Sequence, residues 1–403
     1  MSVETYRWIG GAVAVAQVTT LTPGSVSIGS TFTATINGKS ITYTAAAATV
    51  TDACNGLQAL LAASTIPEFA KITFATGGST ITCTGPATGE PFTITVSHGG
   101  TGSPTFTAAT GTAASGPNWI DNGANYRKLS DGSVGALPVA NDILVIDSGA
   151  VPLLYGDRSA VTLGKLLQYQ SYTGTFGLPK TNASGYPEYL PDFLRMPATN
   201  TILGIGSGTG SGRIKLDYGA VQATIEVQGC GNAIDQGQEV VQIKGTHASN
   251  SITTKGSQTI VGIATGGGDV ATFAAVLNQG ATVRCGDGVT FPAGCNVSNM
   301  SGNISIRSAI GGTYTHNDGQ CSISGSGAIG TLDISGGTVD HQGTGTIGAL
   351  YVGPGTLSRT KDDRPLTSSS TTLRPGGKIE DPTQSITHTA LARSGTVKTL
   401  TAA

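Results

Sequence analysis

The sequence predicts a mainly β protein: a right-handed parallel β-helix with coils of about 18 residues, preceded by a small α+β sandwich domain. Three observations predict it. Between Ile329 and Arg359 apolar residues return at one interval: Ile329 and Ile347, Leu332 and Leu350, Ile334 and Val352, and Val339 and Leu357 all stand 18 apart (347 − 329 in the first pair). Within that interval Leu332/Ile334 and Leu350/Val352 alternate at period two, a strand signature, and the interval is too short for a helical repeat pair. Sixty glycines with only 11% charged and 5% aromatic residues, in a chain rich in Thr, Val and Ile, describe many short strands joined by tight turns.

In such a coil each strand points one row of side chains inward and hydrogen-bonds to the coils above and below at about 4.8 Å. Gly336-Gly337 and Gly353-Pro354-Gly355 fall at equivalent corners, where the chain needs positive φ or a preset one. In the preceding stretch Ile304 and Ile306 form an inward pair. There Gly311-Gly312-Thr313-Tyr314 matches Gly336-Gly337-Thr338-Val339, which makes this coil longer. The match sets His316 equivalent to His341, with Arg359 next in the column. No carboxylate or cysteine stands at a matching offset, so an exposed polar ladder is expected rather than a metal or anion site.

The length of 403 residues fits two or three domains, and a net charge of −2 leaves no basic footprint for nucleic acid or an anionic membrane. Cys54, Cys83, Cys230, Cys285, Cys295 and Cys321 form no C-x-x-C and are expected as reduced, mostly buried thiols. The first residues lack an apolar signal core and Ala12 to Val18 is too short to span a bilayer, so synthesis and retention in a host cytoplasm are expected until assembly.

Residues 1–12 are expected to be an N-terminal arm that presents Tyr6, Trp8 and Ile9 before any strand pattern, either stapled to its own domain or anchored in a neighbouring subunit. Residues 13–116 are the small α+β module. Thr31 to Thr44 alternates on both sides of Asn37-Gly38, a two-residue hairpin signal. Thr51 to Ala63 follows as a helix with Leu57, Leu60 and Leu61 on one face, Thr51 or Asp52 near its cap and Pro67 as its stop. Further strands are expected at 70–76, 80–84 and 92–96.

The hairpin Phe32 to Thr44, the helix with Gly56-Leu57, the Pro67-Glu68-Phe69 exit and the strand at Gly89 to Val96 resemble a module recurring in bacteriophage and prophage structural proteins. Asn118-Trp119, Leu137-Pro138, Asn141 to Ile146, Ser171 to Pro179 and Gly204 to Asp217 resemble the first coils of phage β-helix proteins. The resemblance extends to about Lys244 and implies a virion component without a catalytic pattern.

The β-helix is expected over 117–384, with an aromatic excursion at 155–196 that holds Tyr155, Tyr169, Tyr172, Phe176, Tyr186, Tyr189 and Phe193 among prolines. With Glu188, Asp192 and Asp157 these rings could line a saccharide cleft with paired carboxylates. A cap or subunit interface is preferred, because few aromatics follow Gly204 to extend a cleft. The glycine run Gly204 to Gly212 leads into a strand rather than a helix, and no H-E-x-x-H, Walker lysine or G-x-S-x-G is present. Gly266-Gly-Gly-Asp269 is expected as a turn, and Asp362-Asp363 and Glu380-Asp381 as solvated loop charges. Leu373 to Ile379 adds a last coil or two, and 385–403, without an inward pattern, is a C-terminal cap or tail.

The expectation is a non-enzymatic phage virion protein without cofactor or metal, a homotrimer that decorates or reinforces the capsid through contacts with other virion proteins. The alternative is a tail spike or receptor-binding protein contacting cell-surface glycan.

Overall fold

The computed structural model describes residues 2–177, 193–208, 212–230, 239–256 and 259–393. The protein is mainly β, 48% strand and 5% helix, and contains a β-solenoid of about 11 turns. Inward alternation builds it. In Ile329–Ile334, Leu332 and Ile334 are buried while Thr331 and Asp333, which alternate with them, are half-exposed, and Gly345–Val352 repeats the pattern with Leu350 and Val352.

Parallel strands stack in three ladders. One runs through Ile143–Ile146, Leu163–Tyr169, Ala198–Ile205, Thr224–Val227 and Ser251–Lys255. A second stacks Ile214–Asp217, Val241–Lys244 and Ile260–Ile263. Both continue into the long strands Ala275–Cys285 and Asn296–Ile306, which bend at Gly280 and Gly302 and give one end to each ladder. The third joins Phe291, Ile310, Ile329 and Ile347.

All four apolar pairs expected from the sequence are in register: Ile329 with Ile347, Leu332 with Leu350, Ile334 with Val352 and Val339 with Leu357. The interval is not constant along the solenoid. Asn303 pairs with Gln320, Val283 with Ile304 and Thr224 with Ser251, so both shorter and longer connections are accommodated between strands that keep their alignment. The match between Gly311 to Tyr314 and Gly336 to Val339 is corrected. Thr313 pairs with Thr331 and Tyr314 with Leu332, whereas Thr338 pairs with Gln320 on another ladder. Both glycine pairs stand where neighbouring coils approach closely. An added Cβ on Gly312 would lie 2.2 Å from the Cys295 carbonyl oxygen and one on Gly336 2.0 Å from the Asn317 carbonyl oxygen, and Gly337 in addition turns a corner at φ +62°.

The first residues, expected as an arm ahead of any strand pattern, contain a strand. Thr5–Trp8 is a strand of the solenoid, parallel to Ile143–Ile146 on one side and antiparallel to Tyr126–Lys128 on the other. Local pattern could not show this, because the partner strands lie far along the chain. At the other end Leu366–Leu373, Lys378–Glu380, Ile386–His388 and Leu391–Arg393 continue the ladders, so residues 386–393 are coil strands and not a separate cap. The rest of the expected tail, 394–403, lies outside the described residues.

Gly10–Asn125 form a second compact unit. Its strands Ser30–Ile36 and Lys39–Thr44 close the expected hairpin at Asn37 and Gly38, with φ of 48° and 74°. They form one antiparallel sheet with Ile94–Gly100; a second contains Thr73–Thr76, Ile81–Thr84, Val18–Gly24 and Thr105–Thr112. The helix Val50–Ala62 is capped by Thr49, whose side chain accepts from the Asp52 amide, and not by Thr51 or Asp52. Its buried stripe is Ala53, Cys54, Leu57 and Leu61, and Leu60 is 44% exposed. Gly56 lets Tyr43 cross the helix, since a Cβ there would lie 2.1 Å from the phenol ring. Pro67 does not stop this helix but opens a short second one, Pro67–Ala70.

Candidate functional site

The expected interface residues take up different places. Tyr6 and Trp8 are buried and Ile9 is half-buried. Trp8 packs edge-on against Tyr126 at 5.2 Å and donates its indole N–H to the Val151 carbonyl at 3.1 Å. Both needs of a tryptophan, apolar contact and a partner for its N–H, are thus met within its own chain.

The aromatic stretch is not one excursion. Leu163–Tyr169 is a solenoid strand, and Tyr169, half-buried, pairs with Ile205. Tyr172 and Phe176 are fully buried and 5.7 Å apart; the Tyr172 hydroxyl donates to the Val151 carbonyl at 2.7 Å, and burial raises its pKa. They are core residues because Leu163, Leu166 and Gln168 point inward and carry the chain into the next coil. Tyr186, Tyr189, Glu188 and Asp192 lie outside the described residues. Phe193 sits on the solenoid's outer side, where Lys244 lies 4.3 Å and Lys215 5.6 Å from its ring centre. Lys244 also faces Asp217 at 3.7 Å and Asp269 at 3.8 Å, while Arg195 pairs with Asp157 at 3.3 Å.

The histidines and Arg359 are buried, which corrects the expected exposed ladder, and the two histidines stand on different ladders. His316 ends a column of buried polar groups. Thr254 donates to Asn278 Oδ1 at 2.8 Å, Asn278 donates to Asn299 Oδ1 at 2.7 Å, and Asn299 Nδ2 lies 3.3 Å from His316 Nδ1. The Tyr314 hydroxyl also reaches His316 Nδ1, at 3.0 Å, while Nε2 faces the Gly319 carbonyl at 3.3 Å. Donors at Nδ1 and an acceptor at Nε2 place the proton on Nε2 of a neutral ring. After these residues Gly280, Gly302 and Gly319 take positive φ, so each buried amide or imidazole fills a corner its glycine turns. A polar residue two or three positions before glycine was the sequence signal for this column, and it was missed.

Arg359 follows His341 in its ladder, as the sequence suggested. Its guanidinium donates to the His341 and Gly343 carbonyls at 2.9 and 2.8 Å, to Ser385 Oγ at 3.2 Å and to the Arg364 carbonyl, and pairs with Asp362 at 3.5 Å. Asp362 is therefore not a solvated loop charge; its side chain is 6% exposed, and bonds from Arg364 hold its pKa down to about 2. His341 Nδ1 receives both Arg359 and the Gly343 amide, so it is unprotonated. Burial, then the guanidinium, lowers its pKa to about 4.

Among the described residues, outward residues of the second ladder also line an open groove of about 300 Å³ that crosses four strands. Thr282, Asn303 and Gln320 form one outward column, and Arg284, Ser305, Ser322 and Asp340 the next. Glu239 pairs with Arg284 at 3.1 Å. Lys361 and Gln342 both donate to Asp340 Oδ2, at 2.7 and 2.8 Å, while Asp340 Oδ1 is buried without a hydrogen-bond partner. Sequence reasoning missed the groove.

All six cysteines are buried and unpaired, and burial pushes Cys83, Cys230, Cys285 and Cys321 up to about 12, so none is poised as a nucleophile at neutral pH. Among the described residues no three His, Cys, Asp or Glu side chains converge to hold a metal, and no helix is long and apolar enough to cross a membrane. No family model, curated protein or solved structure matches the chain.

Proposed function

We propose that the chain is a non-enzymatic structural protein whose solenoid serves as a rigid element of a larger assembly. The observation that carries this reading is the dedication of the interior to packing and register. Histidine, arginine and asparagine side chains that would be candidates for chemistry are buried and hydrogen-bonded to neighbouring coils. Continuous parallel ladders satisfy the backbone along the length and resist bending. A right-handed winding is part of the proposal, since parallel crossovers have that hand in about 98% of cases.

The assembly we propose is a phage particle, on the strength of the sequence resemblance, with the protein on the head, as a homotrimer bound to other virion proteins. The chain lacks a heptad run of the kind that builds a fibre shaft, which favours the head over the tail. If the protein instead contacts glycan as a spike, the contact does not come from Tyr172 or Phe176, which are core residues.

To test the reading, full-length protein would be mixed with particles lacking it, and bound copies counted after sedimentation. Saturable incorporation, trimers in analytical ultracentrifugation and no polysaccharide cleavage are expected. Failure to join particles would sink the virion assignment, and cleavage would sink the non-enzymatic one.

A further inference from the structure

We propose that the groove on the second ladder binds a hydroxyl-rich chain, a neutral oligosaccharide, laid along the solenoid axis. The proposal does not depend on membership in a particle. The groove crosses four strands, and three steps between coils give it a length of roughly 14 Å, enough for a short oligomer. Its outward columns offer a hydroxyl or amide on successive coils: Thr282, Asn303 and Gln320 in one, Ser305 and Ser322 in the other. Such side chains both donate and accept, as sugar hydroxyls do.

Charge and hydrogen bonding narrow the ligand. Arg284 is paired with Glu239 and Lys361 with Asp340 of the lining, so a phosphate polymer would find no free cation in the groove. An extended peptide would need a strand edge, and these strands are paired with coils on both sides. Asp340 supplies the positive indication. Both of its donors crowd Oδ2 and leave Oδ1 with none, an arrangement that costs free energy unless a further donor arrives. The carboxylate torsion is soft, so a small turn brings that oxygen to a hydroxyl in the groove. An anion cannot supply the proton; a sugar can.

The test is an array of neutral oligosaccharides probed with the full chain, followed by calorimetry on the best binder. Asn303→Ala with Gln320→Ala removes two outward amides and should weaken binding about tenfold. Asp340→Asn should weaken it severalfold, Ser305→Trp should abolish it by filling the groove, and Ser370→Ala on another ladder should leave it unchanged. Melting temperatures check that each variant is folded. Binding to no member of the array would overturn the proposal, as would binding that all groove variants retain. Tight binding of polyphosphate or calcium ion that Asp340→Asn abolishes, in place of sugar binding, would overturn it too.

Discussion

Two stretches of the same solenoid obey different spacing rules. From Ile310 to Ser358 successive strands align at nearly one interval, as in Thr313 with Thr331 and Thr331 with Ala349. From Leu163 to Lys255 the steps are uneven: Lys165 pairs with Asn200, Asn200 with Thr224 and Thr224 with Ser251. Both keep apolar residues inward and a continuous ladder. The difference teaches that inward alternation sets register whatever the length of the connection, and both stretches place glycine where coils approach closely: in the uneven one a Cβ on Gly204 would lie 2.0 Å from the Gly229 carbonyl oxygen. In the regular stretch a Cβ on Gly330 or Gly348 would come within 2.6 Å of the carbonyl oxygen of Gly312 or Gly330 in the preceding coil.

If alternation sets register in both, an inward charge must be ruinous in both. Leu332→Asp and Leu203→Asp, each at a fully buried position, should cost about 4 kcal/mol or more and abolish soluble folding. A normal melting temperature for either would break the equivalence of the two stretches.

Acid should act on the C-terminal half first. His341 and His316 have folded pKa values lowered from 6.5, His341 to about 4, by burial first. Their unfolded forms therefore bind protons that the folded forms refuse, and stability falls as pH drops from about 6.5 toward 4. The shift at His341 alone amounts to about 3 kcal/mol. Unfolding midpoints in urea, measured between pH 7 and 4, should fall accordingly, and less so in His341→Gln. A flat profile in the parent protein would mean that these rings are not buried as described.

The glycine contrast is smaller. Gly348→Ala forces its Cβ on the Gly330 carbonyl and should cost about 1–3 kcal/mol, whereas Gly267→Ala, in a turn with nothing within 4 Å, should change stability by less than about 0.5 kcal/mol. Equal melting shifts would show that close coil contact does not select glycine. Smaller again is Asn299→Ala, which removes one member of the corner column and should cost about 1–2 kcal/mol by thermal melting, with loss of the Asn278 bond.

What the sequence made legible follows the same division. Leu332, Leu350 and their neighbours were readable because one inward row at constant spacing produces a repeat. Thr5–Trp8 was not, since a parallel strand whose partner is Ile143 leaves no local trace of pairing. His316 and His341 were set equivalent because Gly-Gly-Thr occurs before both, although the threonines after the two glycine pairs, Thr313 and Thr338, stand on different ladders. The helix and hairpin of the N-terminal unit were legible from Asn37-Gly38 and the leucine stripe, while its cap at Thr49 needed the geometry. The groove was hidden for a general reason: it consists of outward residues, whose identities are not constrained by packing and show no periodicity.

The most direct test of the account is cross-linking of outward neighbours on adjacent coils. Ser305 and Ser322 are register partners on neighbouring parallel strands, about 4.8 Å apart, within disulfide reach. Ser305 and Asp340 are two coils apart, roughly 10 Å, and beyond it. Under mild oxidation of folded protein, the account predicts that Ser305→Cys with Ser322→Cys forms a disulfide, mapped by mass spectrometry, while Ser305→Cys with Asp340→Cys does not. A disulfide in the second pair and none in the first would contradict the stacking order on which the ladders, the buried column and the groove all depend.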